Sequence, residues 1–209
     1  MQCKIFDLGL IEFGRALDFQ KGIFRRVKNN EFSGALVICR HYPIITFGRA
    51  FKEENILADE TQLKRKDIQL YNIKRGGDVT YHGPGQLIVY PIVNLSHFRK
   101  DIHWFLRELE GIAIAALTRF GISGVRVKDK TGVWVGDKKI ASIGVAIRQW
   151  ITFHGLAINV KRDDLHNFTL IKPCGMDIMM TSMETVLDKE VAIEKVKEAI
   201  IQENFFKGD

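Results

Sequence analysis

Cysteine is scarce in this 209-residue chain, and what there is does not pair up. The three residues, Cys3, Cys39 and Cys174, are odd in number and far apart, so neither a disulfide framework nor a close-spaced zinc or redox motif is indicated. Free thiols of a reducing compartment are expected. Long apolar runs are missing too. No segment approaches the roughly eighteen unbroken apolar residues that cross a membrane. The opening residues, Met1 to Asp7, lack a basic region followed by an apolar stretch, which argues against a secretory signal. The expectation is a soluble, cytoplasmic protein with no membrane partner. Repeats, low-complexity tracts and linkers are absent as well, so residues 1–209 read as one domain, with 46% hydrophobic and 27% charged residues in globular proportion.

Acidic residues are outnumbered, and the net charge of +6 favours an anionic partner. The basic residues are dispersed, with Lys64-Arg65-Lys66 the nearest thing to a cluster, and no nucleic-acid-binding motif accompanies them. A mildly basic face for docking an acidic protein fits at least as well as nucleic acid, and charge alone does not decide between them.

Glycine is concentrated where it is most informative. Between Arg75 and Pro91 the chain reads Arg-Gly-Gly-Asp-Val-Thr-Tyr-His-Gly-Pro-Gly-Gln-Leu-Ile-Val-Tyr-Pro, with Gly76, Gly77, Gly83, Gly85 and Pro84 pressed between β-type runs. Glycine permits positive φ and close approach of a ligand to the backbone, while proline fixes φ. Two strands with shaped backbone between them are expected, carrying Arg75, Asp78, Thr80, Tyr81, His82 and Gln86. Elsewhere the spacing of Leu17, Phe19, Ile23, Phe24 and Val27 predicts a helix from Glu12 to Asn29. Gly34 to Cys39 reads as a strand buried on both faces, which makes Cys39 a core residue. Strands are expected over Ile68–Lys74, Leu87–Leu95 and Ile151–Val160. Asp101 to Phe120 is the best helix, capped by Asp101 and stopped at Gly121. A tail helix runs from Glu190 to Phe206 with Ile193, Val196, Ala199, Ile200 and Phe205 inward.

Gly136-Asp137 lies between two β-runs and signals a hairpin with Val135 and Lys138 flanking the turn. Alternation then puts Lys138 and Lys139 on opposite faces of the sheet. Cys174 alone among the cysteines sits in a loop-like setting, Lys172-Pro173-Cys174-Gly175, where proline and glycine present a thiol on a turn. A catalytic thiolate needs a basic partner, because an unperturbed cysteine is only slightly ionised at neutral pH. The order of β-rich and helical stretches indicates an α+β (mixed α/β) domain.

The run Arg75-Gly-Gly-x-Val-Thr-Tyr-His-Gly-Pro-Gly-Gln86, the Lys139-Ile-Ala-x-x-Gly144 sequence and Pro173-Cys174-Gly175 together resemble the lipoyl (octanoyl) transferases of the biotin/lipoate protein ligase superfamily. The resemblance implies a large mixed sheet plus a smaller one flanked by helices. It implies Cys174 as nucleophile and Lys139, not Lys138, as its acid/base partner. It maps substrate contacts onto Arg75, Gly76, Gly77, Asp78, Val79, Thr80, Tyr81 and His82, onto Ser142, Ile143 and Gly144, and onto Gly155, Leu156 and Ala157. His82 and His154 are read as scaffold or substrate neighbours, not as the base. Oxyanion donors are expected among backbone N–H groups of the glycine-rich stretch and around Cys174-Gly175. The implied partners are octanoyl-acyl carrier protein as donor, and lipoyl domains of 2-oxo-acid dehydrogenases or the glycine-cleavage H protein as acceptors. No metal and no ATP are implied, only a transient octanoyl thioester, and the chain is expected to be a monomer. Met176 to Ser182 departs from the family's glycine-containing version, a difference that bears on acyl length more than on the reaction. The competing readings are an ATP-dependent lipoate–protein ligase and a non-catalytic acyl- or lipoyl-domain-binding protein.

Overall fold

The computed structural model describes residues 3–173 and 178–203. Strand β1 (Lys4–Ile11), helix α1 (Phe13–Lys28), β2 (Gly34–His41) and β3 (Ile44–Phe47) come first. They are followed by α2 (Glu60–Arg65), β4 (Gln69–Asn72), β5 (Val79–His82), β6 (Gln86–Val93) and α3 (Ile102–Thr118). Strands β7 (Val125–Val127), β8 (Lys130–Val135), β9 (Lys138–Arg148) and β10 (Ile151–Asn159) form a meander. A 3-10 stretch over Asp163–Leu170, α4 (Met183–Leu187) and α5 (Ile193–Gln202) complete the described chain.

Ten strands make two sheets among the described residues: a large one ordered β1-β2-β6-β10-β9-β8-β7 and a small one ordered β4-β3-β5. Both are mixed, since β1 runs parallel to β2 and β4 parallel to β3, while the other pairs are antiparallel. This is the α+β arrangement expected, a large mixed sheet with a smaller companion.

Alternation along β2 and β6 builds the core on both faces of the large sheet. Leu36, Ile38, Leu87 and Val89 pack under α3 and α5, against Ile112, Ala113, Leu117, Val196 and Ile200. Val37, Cys39, Ile88 and Tyr90 face α1, where Ile23, Phe24 and Val27 cover them. Cys39 is buried there, and burial raises its thiol above the ordinary range, so it behaves as a small core hydrophobe. Tyr81, Val79, Ile45 and Phe168 form a separate cluster beneath the small sheet.

The hairpin predicted at Gly136-Asp137 is present, with Val135 paired to Lys138 across it. The best sequence-predicted helix is also present, and Asp101 caps it by accepting from the N–H groups of His103 (2.8 Å) and Trp104 (3.0 Å). Helix α5 is shorter than expected within the described residues, although Ile193, Val196, Ala199 and Ile200 all point inward. Phe205 lies outside those residues. The edge strand β1, not anticipated, escaped notice because its apolar side chains are only half-covered: Ile5 and Leu10 remain exposed. No helix among the described residues is long and apolar enough to cross a membrane.

One buried charge holds the meander to α3. Glu110 is fully buried and accepts from Gly132 N–H (3.0 Å), Arg107 Nη1 (2.6 Å) and Arg126 Nε (3.2 Å). Glu110→Ala strands those donors, so we expect a loss of roughly 3 kcal/mol in urea unfolding. A variant within 0.5 kcal/mol of wild type, roughly the scatter of neutral surface changes, would show that the carboxylate is not a structural tie.

Candidate active site

The cleft of interest lies on the α1 side of the large sheet, where the small sheet folds over it, and is partly open to solvent. Three strands form its floor. Ile88 and Tyr90 come from β6, Gly155, Leu156 and Ala157 from β10, and Lys139, Ser142, Ile143 and Gly144 from β9. Arg75, Gly76, Gly77, Asp78, Val79, Thr80 and His82 form the opposite wall. All the sequence-predicted contact residues within the described chain meet here except Tyr81.

Tyr81 corrects the expectation. Alternation along β5 turns it away from the cleft into the cluster under the small sheet. Its hydroxyl accepts from Asn167 Nδ2 (2.9 Å) and donates to Asp164 Oδ1 (3.4 Å), and burial raises its pKa above the ordinary range. A Cβ on Gly83 would collide with that hydroxyl, so the packing of Tyr81 requires glycine there.

The glycine-rich wall is tied down at several points. Gly76 N–H donates to the Val145 carbonyl of β9 at 2.7 Å, which joins the two sheets at the cleft. Arg75 is buried, and its guanidinium donates to the Thr46 carbonyl (2.7 Å), Thr46 Oγ1 (3.1 Å from Nη2) and the Gly76 carbonyl (3.0 Å). Asp78 accepts from the Lys52 N–H (3.3 Å) and Asn55 Nδ2 (2.5 Å).

Lys139 is 2% exposed, whereas its neighbour Lys138 is solvent-exposed, as alternation requires. A β-strand does not ordinarily have room for a lysine turned inward. Gly132 on β8 supplies it: a Cβ there would fall 2.4 Å from Lys139 Cε, and its φ of +125° suits glycine alone. The Lys139 ammonium lies 5.6 Å from the centre of the Trp134 ring, within the range of a cation–π contact.

Cys174, with Gly175, lies outside the described residues, but the chain on either side of it is not. Lys139 N–H donates to the Met179 carbonyl and Thr181 N–H donates to the Lys139 carbonyl, both at 2.9 Å, so Met179–Thr181 runs as a strand partner of Lys139. On the other side, Lys172 N–H donates to the Asn55 carbonyl (2.8 Å), and Asn55 in turn holds Asp78. The described chain on both sides of Cys174 is thus anchored to residues of the cleft walls.

Behind the cleft lies a buried polar chain. His82 Nδ1–H donates to Gln86 Oε1 (3.0 Å), Gln86 Nε2 donates to Asn159 Oδ1 (2.8 Å), and Asn159 Nδ2 donates to the Thr181 carbonyl (2.9 Å). His41 Nδ1–H donates to the Ile11 carbonyl (2.9 Å), and its Nε2 accepts from the Tyr90 hydroxyl (2.7 Å). Burial pulls the pKa of His41 and His154 down to about 4 and that of His82 to about 3, so all three are neutral at pH 7. Neither His82 nor His154 is poised as a base near neutrality. No group of three or more metal-ligating side chains occurs among the described residues.

Sequence reasoning missed Gly132 and Trp134, which house Lys139, and Phe13, Ile73 and Tyr90, which line the cleft. Gly132 was open to detection, since an isolated glycine inside a strand marks a close approach. Phe13 comes from α1, and nothing in its own helical pattern says which sheet face it meets.

The architecture is that of the protein ligases which attach lipoate or biotin. A lipoate protein ligase from Thermoplasma acidophilum superposes with a TM-score of 0.76 at 20% identity, covering 97% of this chain and 82% of that one. The biotin protein ligase from Aquifex aeolicus superposes at 0.54 and 13% identity, covering 97% of this chain and 67% of that one. At such identities the likeness is one of fold. The sequence narrows it: residues 13–205 match the lipoyl protein ligase A/B catalytic domain, and the chain belongs to that family. Among its curated relatives, an octanoyltransferase from Thermoanaerobacter sp. (strain X514) is 43% identical over 95% of this chain and 86% of its own length. Another, from Clostridium kluyveri, is 49% identical over 80% of this chain and 71% of its own.

Two predictions follow from the geometry of the site. Gly132→Ala drives a methyl group into Lys139 and the Ala141 carbonyl, so turnover falls by about 100-fold while the far-ultraviolet dichroism stays native. Full activity in that variant would dissociate Lys139 from the chemistry. The second concerns pH. Each buried histidine has its folded pKa below its unfolded value, so the unfolded chain binds more protons between about pH 4 and 6.5. Stability is fully present above pH 6.5 and is lost as pH falls towards 4, with a slope approaching about 1.4 kcal/mol per pH unit for each histidine. Urea midpoints at pH 7 and pH 5 measure this, and equal midpoints refute it.

Proposed function

We propose that the chain is an octanoyltransferase of protein lipoylation. It moves an octanoyl group from the thioester of an acyl carrier protein to the ε-amine of a lysine on a lipoyl domain, through a thioester on Cys174. What supports this reading of the site is the pairing of one fully buried lysine, Lys139, with the segment that follows Pro173-Cys174-Gly175.

In the resting state the pair carries the proton on Lys139 as ammonium, with Cys174 as thiolate. The thiolate attacks the donor carbonyl and a carbon–sulfur bond forms. The oxyanion collapses, the bond to the pantetheine sulfur breaks, and that sulfur takes the Lys139 proton. Cys174 is now acylated and Lys139 is a neutral amine. The amine of the acceptor lysine attacks the new thioester, Lys139 takes one of its protons, and collapse releases the amide and the Cys174 thiolate. The starting state returns, with no electron or atom unaccounted for. Neither a metal nor ATP enters the cycle. Apolar residues of the floor, Ile88, Ile143, Leu156 and Ala157, suit an alkyl chain. The partners of this reading are octanoyl-acyl carrier protein, and lipoyl domains of 2-oxo-acid dehydrogenases or of the glycine-cleavage H protein.

The test is incubation with octanoyl-acyl carrier protein in the absence of ATP, followed by intact mass. A hydroxylamine-labile octanoyl adduct is expected on the wild type and none on Cys174→Ser. Modification that requires ATP would favour a ligase, and binding with neither adduct nor product would leave a non-catalytic binder.

A further inference from the structure

The two most exposed large apolar side chains among the described residues, Met179 (54%) and Leu57 (52%), border the same groove. Both stand on backbone that is hydrogen-bonded in place. Leu57 N–H donates to the Leu170 carbonyl (2.9 Å), beside an antiparallel bridge between Ile56 and Ile171. The Met179 carbonyl accepts from Lys139 N–H (2.9 Å), and the neighbouring Met180 packs inward under the small sheet. Leu165, Phe168 and Ile171 line the groove with them, the last two buried. An apolar side chain left in water on a fixed backbone adds nothing to the fold, and clustered ones mark interaction sites.

The groove runs along the chain on either side of the nucleophile: Pro173 directly precedes Cys174, and Ile178 and Met179 follow it. Its charged lining is of one sign. Lys138, the exposed neighbour of Lys139, and Lys172 are basic, and no carboxylate lines the groove among the described residues. A second copy of this chain seated here about a two-fold axis would set basic patch against basic patch. An apolar centre with a basic rim fits a partner whose face is apolar and acidic. Reach decides between the two proteins that the transferase must meet. The donor's acyl group rides on a long phosphopantetheine arm, so the carrier can dock away from the thiol. The acceptor's amine stands on a four-carbon stem, so its own surface must come up to Cys174.

We propose that this groove is the docking surface of the acceptor: a lipoyl domain lays an acidic, apolar-centred face on Leu57, Met179, Lys138 and Lys172 and so presents its target lysine to the thioester on Cys174. This rests on the octanoyl-transfer reading above. The apolar pair supplies the buried centre of the contact, while the lysines speed encounter and fix its orientation. Lys138, turned away from Lys139 by alternation, thereby has its own part in the second half-reaction.

The test uses the whole chain and follows the two half-reactions separately. Octanoyl-acyl carrier protein loads the enzyme, read by intact mass, and the isolated octanoyl-enzyme is then mixed with increasing amounts of a lipoyl domain. Lys138→Glu and Leu57→Asp alter exposed side chains, so the fold is kept. Each lowers the second-order rate of transfer to the lipoyl domain by about tenfold, with loading within about twofold of wild type. Added salt slows transfer by the wild type more than transfer by Lys138→Glu. Variants that transfer at the wild-type rate overturn the proposal. So does an equal loss in loading, which assigns the groove to the carrier protein, and so does a wild-type dimer that either variant dissociates, which assigns it to a second copy. A wild type that takes no acyl group from the donor overturns the transferase reading itself, and the acceptor groove with it.

Discussion

Two backbone hydrogen bonds carry most of what this structure offers as a site: Lys139 N–H to the Met179 carbonyl, and Thr181 N–H to the Lys139 carbonyl. They extend β9 by one partner on its far side and bring Met179–Thr181, which follows the Pro-Cys-Gly sequence, against the one lysine that the hairpin turns inward. Burying an ammonium is unfavourable unless its surroundings answer the charge. The Trp134 ring does so in part, and Gly132 gives the side chain its volume. Fully buried Glu110 fixes Gly132 through its N–H. The lysine therefore depends on a chain of contacts that begins on α3, far from the cleft.

The glycine-rich wall solves a different problem. It must cross from the small sheet to the large one without filling the space between them. Gly76 docks on Val145, Arg75 grips Thr46 of β3, and Asp78 holds Asn55, whose carbonyl anchors Lys172, two residues before Cys174. The far side is anchored through Asn159 and Thr181. The described chain before and after Cys174 thus leads back to residues of one stretch, Arg75 to Gln86, through neutral or locally satisfied hydrogen bonds.

Local pattern made some of this legible and left the rest hidden. The Gly136-Asp137 turn put two adjacent lysines on opposite faces of the sheet, while the choice of Lys139 as the inward one came from the Lys-Ile-Ala-x-x-Gly resemblance. The buried strand at Gly34–Cys39 and the capped helix from Asp101 were equally open to reading, each resting on residues near in sequence. Tyr81 was not. It sits in a motif whose other members face the cleft, and only the pairing of β5 with β3 shows that it faces away. The small sheet's order and the half-covered strand β1 depend on long-range pairing that no window of sequence contains. His154 borders the cleft as its reading as a substrate neighbour allowed, but its left-handed φ of 57° and the hold of Gln20 on its N–H meet only in the folded chain.

The polar residues behind the cleft are compatible with an alkyl ligand for a physical reason. Three histidines and a tyrosine lie against an apolar floor, a composition that looks better suited to an ion. Desolvation keeps the histidines neutral, and two of them spend their ring N–H groups on fixed acceptors, the Ile11 carbonyl and Gln86. The Tyr90 hydroxyl is spent on His41. Arg75 directs much of its guanidinium at Thr46 and Gly76, within its own wall. The donors that would solvate a carboxylate or phosphate are largely consumed before a ligand arrives. A cleft of this kind gains little from charge and most from burying apolar surface.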